Sequence, residues 1–237
     1  MLELDLDIAP QSQKIKLNSL NLKSMFVQQD IIDTSIGHPI GKELLFRTID
    51  NSGKPVSRYL DELNYDCPLL FDRFVSASAL AFCQNHVMTM AIKQIHININ
   101  HTSLNDPGVL NNLLALYSFL NSYGMLLVIE LVEYTMPTSE TIYQAKMLQE
   151  HGLRVAIDDL GQGFNTVENL KGLIKPDYVK LVYNSKLLAL LDGVEFAISK
   201  FDADLDNIIV EFIDSEQKSK SMDAIGLCIQ QGFFFRD

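Results

Sequence analysis

Apolar residues along the chain gather into short runs of strand composition, separated by longer helix-like stretches. The strand-like runs are "SMFVQQDIID" (24–33), "KELLFRTI" (42–49), "QIHININ" (94–100), "MLLVIELVE" (125–133), "RVAIDD" (154–159), "PDYVKLV" (176–182), "NIIVEF" (207–212) and "LCIQQGFFF" (227–235). Helix-like stretches cover 67–87, 107–123, 139–152, 164–173, 184–200 and 215–226. Asp106 before Pro107 and Ser139 with Glu140 have the chemistry of helix starts, and Gly152 that of a C-terminal cap. Strands alternating with helices predict a parallel sheet covered by helices, and eight strands in this length predict a barrel. Only "TSIGHPIG" separates the first two strands, too little for a crossover helix. The expected fold class is α/β, a TIM-like (β/α)8 barrel with the first strand antiparallel to the rest. Residues 1 to about 22 read as a short polar lead-in. With no Gly/Ser/Pro-rich linker, 1–237 reads as one domain.

Composition narrows the partners. The chain has 237 residues, 47% of them hydrophobic, enough for one large core. Its formal net charge of −11 disfavours a DNA or RNA duplex and an anionic membrane surface. Metal ions can still reverse the local sign for a small phosphate ligand. Cys67, Cys83 and Cys228 are scattered and odd in number, giving neither a zinc spacing nor a disulfide framework. The start "MLELDLDIAP" has no apolar signal core, and no apolar run reaches the ~18 residues of a membrane span. A cytoplasmic protein without a membrane segment is expected.

Candidate chemistry lies where the strands end, because barrels of this kind carry their sites at the C-terminal ends of the strands. Asn98 and Asn100 end the third strand, Glu130 and Glu133 the fourth, Asp158 and Asp159 the fifth, Lys180 the sixth and Glu211 the seventh. Glu43, Leu45 and Arg47 share one face of the second. Singly, each is most simply a solvated strand end, and "DDLGQG" alone is a glycine-capped Asx-type turn. Parallel strands bring these positions together, where several acids repel one another. A divalent cation relieves that repulsion. Carboxylates with an amide oxygen, and no His or Cys partner, suit Mg2+ or Mn2+ rather than zinc. Gly161 and Gly163 allow the chain to bend after Asp158, so both aspartates can face one pocket. A carboxylate shared by two metals about 3.5–4 Å apart is a geometry suited to phosphodiester hydrolysis.

These residues resemble the EAL-type phosphodiesterases that cleave cyclic di-GMP, in order and spacing from about Phe26 to the C-terminus. "QDIID" resembles the family's opening Gln-Pro-Ile strand, and "ELLFR" (43–47) stands where the family has Glu-Ala-Leu-Leu-Arg. "NIN" (98–100) resembles Asn-x-Ser, and "ELVE" (130–133) resembles Glu-x-Thr-Glu. "DDLGQG" resembles Asp-Asp-Phe-Gly-Thr-Gly, and "PDYVKLV" resembles Asp-x-x-Lys-x-Asp. "VEFIDS" (210–215) resembles Ala-Glu-Gly-Val-Glu-Thr, and "QGFFF" (231–235) the closing Gln-Gly-aromatic strand. The resemblance implies two divalent cations, Mg2+ or Mn2+. Glu43, Asn98, Glu130 and Asp158 would hold one; Asp158, Asp159 and Glu211 would serve the second. It further implies that Lys180 orients or activates the attacking water and that Gln231 supports the network. Arg47, with Leu45 beside it, would meet the substrate, and Glu133 would hold the Asp159–Gly163 loop. The substrate would be cyclic di-GMP, the product linear pGpG, and a homodimer would form near that loop.

Four departures bear on activity. Val182 stands where the family has an acid, so the pocket loses a negative charge on the face of Lys180. Phe212 replaces a glycine after Glu211, with the expectation that it narrows the pocket or changes the strand end. Gln162 and Asp214 are milder exchanges, and the sequence ends on "QGFFFRD". Two other readings follow from these departures. One is a catalytically impaired cyclic di-GMP receptor that signals to a partner; the other is a protein-interaction module.

Overall fold

The computed structural model describes residues 23–49, 64–90, 92–166, 168–170, 175–183 and 187–235. The proposed lead-in lies outside the described residues. The order of elements is β1 (Lys23–Asp33), β2 (His38–Ile49), α1 (Pro68–His86), β3 (Gln94–Asn100), α2 (Pro107–Asn121), β4 (Leu126–Val132) and α3 (Ser139–Glu150). It continues with β5 (Arg154–Ile157), β6 (Tyr178–Val182), α4 (Leu187–Phe201), β7 (Ile208–Glu211), α5 (Glu216–Asp223) and β8 (Ile229–Gln231). The eight strands close a barrel in sequence order. β1 runs antiparallel to both neighbours, β2 and β8. Every other pairing is parallel. The expected reversal is made by a tight turn, in which Gly37 at φ 68 donates its N–H to the Asp33 carbonyl at 2.9 Å.

Alternation along β3 shows how the barrel divides its side chains. Ile95, Ile97 and Ile99 are fully buried and pack outward against the helical layer, with Ala79, Cys83, Leu113, Leu116 and Leu120. Burying each such aliphatic side chain stabilises by roughly 1.5–3 kcal/mol. The alternate residues His96 and Asn98 hydrogen bond across the interior to Glu130 and Glu43. Lower in the barrel Ile31, Ile209 and Ile229 form a small apolar plug, with Ile40 and Tyr178 packed against it. The polar layer therefore sits on an apolar floor.

Helix ends follow local chemistry, with one change. Asp106 caps α2, accepting the Val109 N–H at 3.0 Å, and Arg73 of α1 donates to the same carboxylate at 2.7 Å. α3 is capped by Thr138, not Ser139. Thr138 and Thr141 form a reciprocal capping box in which each side chain accepts the other's backbone N–H. Gly152, at φ 98, ends that helix as expected.

Several expected elements are shorter or absent, three of them near the site or the barrel's end. β5 stops at Ile157, so Asp158 and Asp159 follow the strand rather than close it. The segment 164–173, expected as a helix, forms turns where it is described; residues 167 and 171–174 lie outside the described residues. β8 spans only Ile229–Gln231, and Phe233–Phe235 forms a 3-10 turn. The physical reason is a backbone crossing. Ile213 donates to the Gln231 carbonyl at 3.1 Å, and Phe234 donates to the Ile213 carbonyl at 3.0 Å. A Cβ on Gly232 would stand 2.0 Å from the Ile213 carbonyl oxygen. The chain after β8 is pressed onto the segment after β7, and no strand can continue there.

Two substitutions test this end of the barrel by urea unfolding. Gly232→Ala should destabilise by about 3 kcal/mol, because backbone cannot yield as a side-chain tip can. Phe212 has φ 60 and is 55% exposed, so it carries left-handed strain for little burial. Phe212→Gly should therefore stabilise by roughly 0.5–1 kcal/mol, the left-handed penalty less the glycine entropy.

Candidate active site

Sheet register brings the inward residues of neighbouring strands level at the barrel mouth. Glu43 of β2 lies opposite His96 of β3, Asn98 opposite Glu130 of β4, and Val182 of β6 opposite Glu211 of β7. At the centre is Lys180, 1% exposed. Its Nζ lies 2.7 Å from Glu130, 3.1 Å from Glu43, 3.1 Å from Glu211 and 3.2 Å from Asp158. Glu43 also accepts from Asn98 Nδ2 at 2.7 Å and from Gln231 Nε2 at 2.5 Å.

One ammonium cannot balance four carboxylates, and the protonation equilibria register the deficit. Burial works against ionisation of Glu43, but the Lys180 charge and the bonds from Gln231 and Asn98 outweigh it and hold the carboxyl down at about 2. Burial pushes Glu211 up to about 8 against the Lys180 charge, with Asp158 and Glu43 adding repulsion. Asp159 is raised to about 7 by burial and then by its neighbours Asp158 and Glu133. Glu130 is raised by burial and by Glu43, and Asp158 by burial against the pull of Lys180. The pocket thus holds more acid than it can ionise alone.

The adjacent aspartates are set by the loop after β5. Asp158 donates its N–H to the Leu131 carbonyl at 3.1 Å, extending the strand pairing by one bond. Asp159 then takes φ 45, a left-handed kink that ends the extended run and brings its carboxylate to the same side as that of Asp158. Gly161 follows at φ 95 and Gly163 at φ 46. At Gly163 a Cβ would lie 2.6 Å from both the Glu133 carbonyl and its Cγ, and Phe164 donates to that carbonyl at 2.8 Å. Carboxylate oxygens of Glu133, Asp158 and Asp159 all come within 4.8 Å of one another. Glu133 therefore touches the loop through its backbone while its carboxylate joins the two aspartates.

A cavity of about 360 Å3 opens from this group, within the range of small-molecule sites. Asn98, Asn100, Asp158, Asp159, Glu133 and Arg47 line it. Leu45 is half-buried and is not among its lining residues, and neither is Phe212. The expectation that Phe212 narrows the pocket is corrected: β7 ends at Glu211, and the left-handed turn at Phe212 carries its ring into solvent. Gln162 is exposed on the loop, and Asp214 pairs with Lys218 at 2.8 Å on the surface.

Residues outside the sequence-based set hold this geometry. Asn165, fully buried, donates to the carbonyls of Leu131 at 2.8 Å and Asp158 at 2.6 Å, and His101 Nε2 lies 2.8 Å from its Oδ1. His96, also fully buried, places Nδ1 2.8 Å from Glu130. Period two already set His96 on the inner face with Asn98; nothing in the sequence joined Asn165 to the carbonyls it clamps.

The donor set fits divalent cations. Asn98 Oδ1, Asp159 Oδ1 and Gln231 Oε1 are buried oxygens without a hydrogen-bond partner among the described residues. They stand beside carboxylates that the one lysine leaves under-neutralised. Oxygen acceptors and excess negative charge are what a hard cation needs.

Comparison with known proteins identifies the family. The family model for the EAL domain matches residues 17–237. A probable cyclic di-GMP phosphodiesterase, PdeA of Escherichia coli (strain K12), is 23% identical over a 171-residue alignment that covers 69% of this chain but only 23% of that protein. The chain thus spans under a quarter of that relative's length. A standalone versatile EAL protein from Vibrio cholerae O395, solved with c-di-GMP bound, superposes with a TM-score of 0.67 at 17% identity, covering 92% of this chain and 93% of that one. BlrP1 of Klebsiella pneumoniae, in a manganese and cyclic di-GMP complex, gives 0.65 at 19% identity over 90% of this chain and 59% of that one. The structural likeness is one of fold. No helix among the described residues is long and apolar enough to cross a membrane. With the family model covering all but the first sixteen residues, the chain belongs to the EAL domain family.

Proposed function

We propose that this protein is a metal-dependent phosphodiesterase that opens cyclic di-GMP to linear pGpG. The observation that carries the reading is the under-neutralised group around Lys180, with its unpartnered Asn98, Asp159 and Gln231 oxygens. The relatives named above act on or bind cyclic di-GMP by name, and one carries manganese.

Glu43, Asn98, Glu130 and Asp158 would hold one divalent cation, and Asp158, Asp159 and Glu211 the second. Bound there, Mg2+ or Mn2+ supplies Lewis-acid stabilisation of phosphoryl charge and makes water a nucleophile at neutral pH. Lys180 neutralises part of the acid cluster and would orient or activate the attacking water. Gln231 fixes Glu43 Oε2 at 2.5 Å and keeps the amide oxygen free for a ligand. Arg47, at the cavity wall, would meet a phosphate oxygen. Asp159 and Glu133 together tie the loop to the site, and a homodimer near that loop belongs to the same reading.

Val182 favours a second reading, a receptor that binds without turnover, because no acid faces the mouth from that position of β6. The two readings separate in one experiment. Pure protein with cyclic di-GMP and Mg2+ or Mn2+ should release pGpG, and Asp158→Ala should lower the rate by on the order of 100-fold or more, through lost charge stabilisation. Val182→Asp should raise turnover several-fold. Nucleotide binding by calorimetry without any pGpG would establish the receptor instead; absence of both would discard both.

The raised carboxyls give a pH prediction with a definite sign. Glu211 near 8 and Asp159 near 7 bind protons more tightly folded than unfolded. Their stabilising effect is complete below about pH 4 and is lost as pH rises through 7 to 8. Chelated protein should therefore lose thermal stability across that window. Saturating Mn2+, which binds the ionised carboxylates, should flatten the slope; an equal slope with and without Mn2+ would contradict the ligand assignment.

A further inference from the structure

Beneath Glu130 a line of polar side chains, the buried His96 and then the half-buried Gln94 and Tyr178, runs down the barrel interior, and the proposed chemistry uses none of it. His96 Nδ1 lies 2.8 Å from Glu130 Oε1, His96 Nε2 lies 3.1 Å from the Gln94 side-chain amide, and that amide lies 2.8 Å from the Tyr178 hydroxyl. The Tyr178 and His96 rings are 5.9 Å apart. His96 and Glu130 are wholly inaccessible to solvent, and Tyr178 rests on the apolar plug of Ile31, Ile209 and Ile229. A barrel interior can be filled by aliphatic side chains at less cost than by an imidazole, so a satisfied chain here needs a reason.

The direction of donation supplies one. As placed, Gln94 turns Oε1 to His96 Nε2 and its N–H to the Tyr178 hydroxyl, and a neutral imidazole carries one N–H. A carboxylate acting as a metal ligand carries no proton, so the hydrogen in the His96–Glu130 contact belongs to Nδ1. Nε2 must then accept. The amide oxygen and nitrogen of Gln94 exchange on a half-turn of the amide, an assignment made from hydrogen bonding alone. In the turned form every group is satisfied in one sense. Tyr178 O–H donates to Gln94, Gln94 N–H donates to His96 Nε2, and His96 Nδ1–H donates to Glu130 Oε1. Lys180 meets the other oxygen, Oε2, at 2.7 Å.

The geometry points to His96 as a positioning residue for Glu130, oriented from below by Gln94 and Tyr178, that holds the carboxylate toward the mouth as a divalent-cation ligand. It rests on the ligand reading given above. Such outer hydrogen bonds fix a ligand's orientation and typically carry 10–100-fold in metal affinity.

Calorimetric titration of the full chain with Mn2+ tests the assignment, with thermal melts to establish folding. His96→Leu keeps the bulk and removes the donor, and should weaken Mn2+ binding by about 10–100-fold without lowering the melting temperature of the metal-free protein. His96→Gln, which can still donate, should recover part of the affinity. Tyr178→Phe removes only the distal hydroxyl and should cost a few-fold, which keeps the test decisive if His96→Leu fails to fold. The chain has five histidines, so 15N spectra of Mg2+-loaded, histidine-labelled protein can be assigned by variants, and His96 should show the Nδ1–H tautomer. Wild-type protein that binds Mn2+ as tightly as His96→Leu and Tyr178→Phe, or a His96 found as the Nε2–H tautomer, would overturn the proposal alone. Wild-type protein that binds no divalent cation would overturn the ligand reading, and this proposal with it.

Discussion

The mouth of the barrel is organised around a charge imbalance: one buried ammonium, Lys180, facing Glu43, Glu130, Asp158 and Glu211 within 3.2 Å. Each partner alone would be an unfavourable buried charge. Together they are still short of positive charge, and the shortfall appears as carboxyls that keep their protons to unusually high pH. Glu43 escapes, because Asn98 and Gln231 add hydrogen bonds to the lysine's attraction. A site that stores negative charge in this way is prepared for cations, and the fold supplies the rigidity that keeps the charges from moving apart.

That rigidity comes from two directions. Above, the loop after β5 is pinned by Asn165 to two carbonyls and pressed by Gly163 onto Glu133, so the kink at Asp159 is held from outside. Below, His96, Gln94 and Tyr178 stack under Glu130 on an apolar floor. Two of the departures from the family pattern lie side by side on β6 and β7. Val182 and Glu211 are register partners, and Phe212 follows immediately. The exchange at Val182 removes charge from the mouth, whereas Phe212 turns its ring outward and leaves the cavity as it is.

The order of strands, the antiparallel first strand and the set of inward acids were all legible in the chain itself. They depend on local rules: period-two alternation, the shortness of "TSIGHPIG", and the tendency of parallel strands to end at one face. Hydrophobic pattern also placed Ile95, Ile97 and Ile99 on the helical side, which left Asn98 facing the pocket. Local rules failed where the chain crosses itself. Nothing near Gly232 reveals that Ile213 will lie against it and stop β8 after three residues. Thr138 lies one residue before the cap that propensity favoured, because its reciprocal partner Thr141 decided the helix start.

By itself, then, the sequence determined which residues could reach the mouth, since inward and outward faces follow from alternation within each strand. Only the tertiary structure decided what those residues do to one another. The pairing of Lys180 with four acids joins positions up to 137 residues apart, and the clamp of Asn165 on Leu131 spans 34. Proton affinity depends on such through-space distances and on burial, neither of which is a property of any residue or its neighbours along the chain.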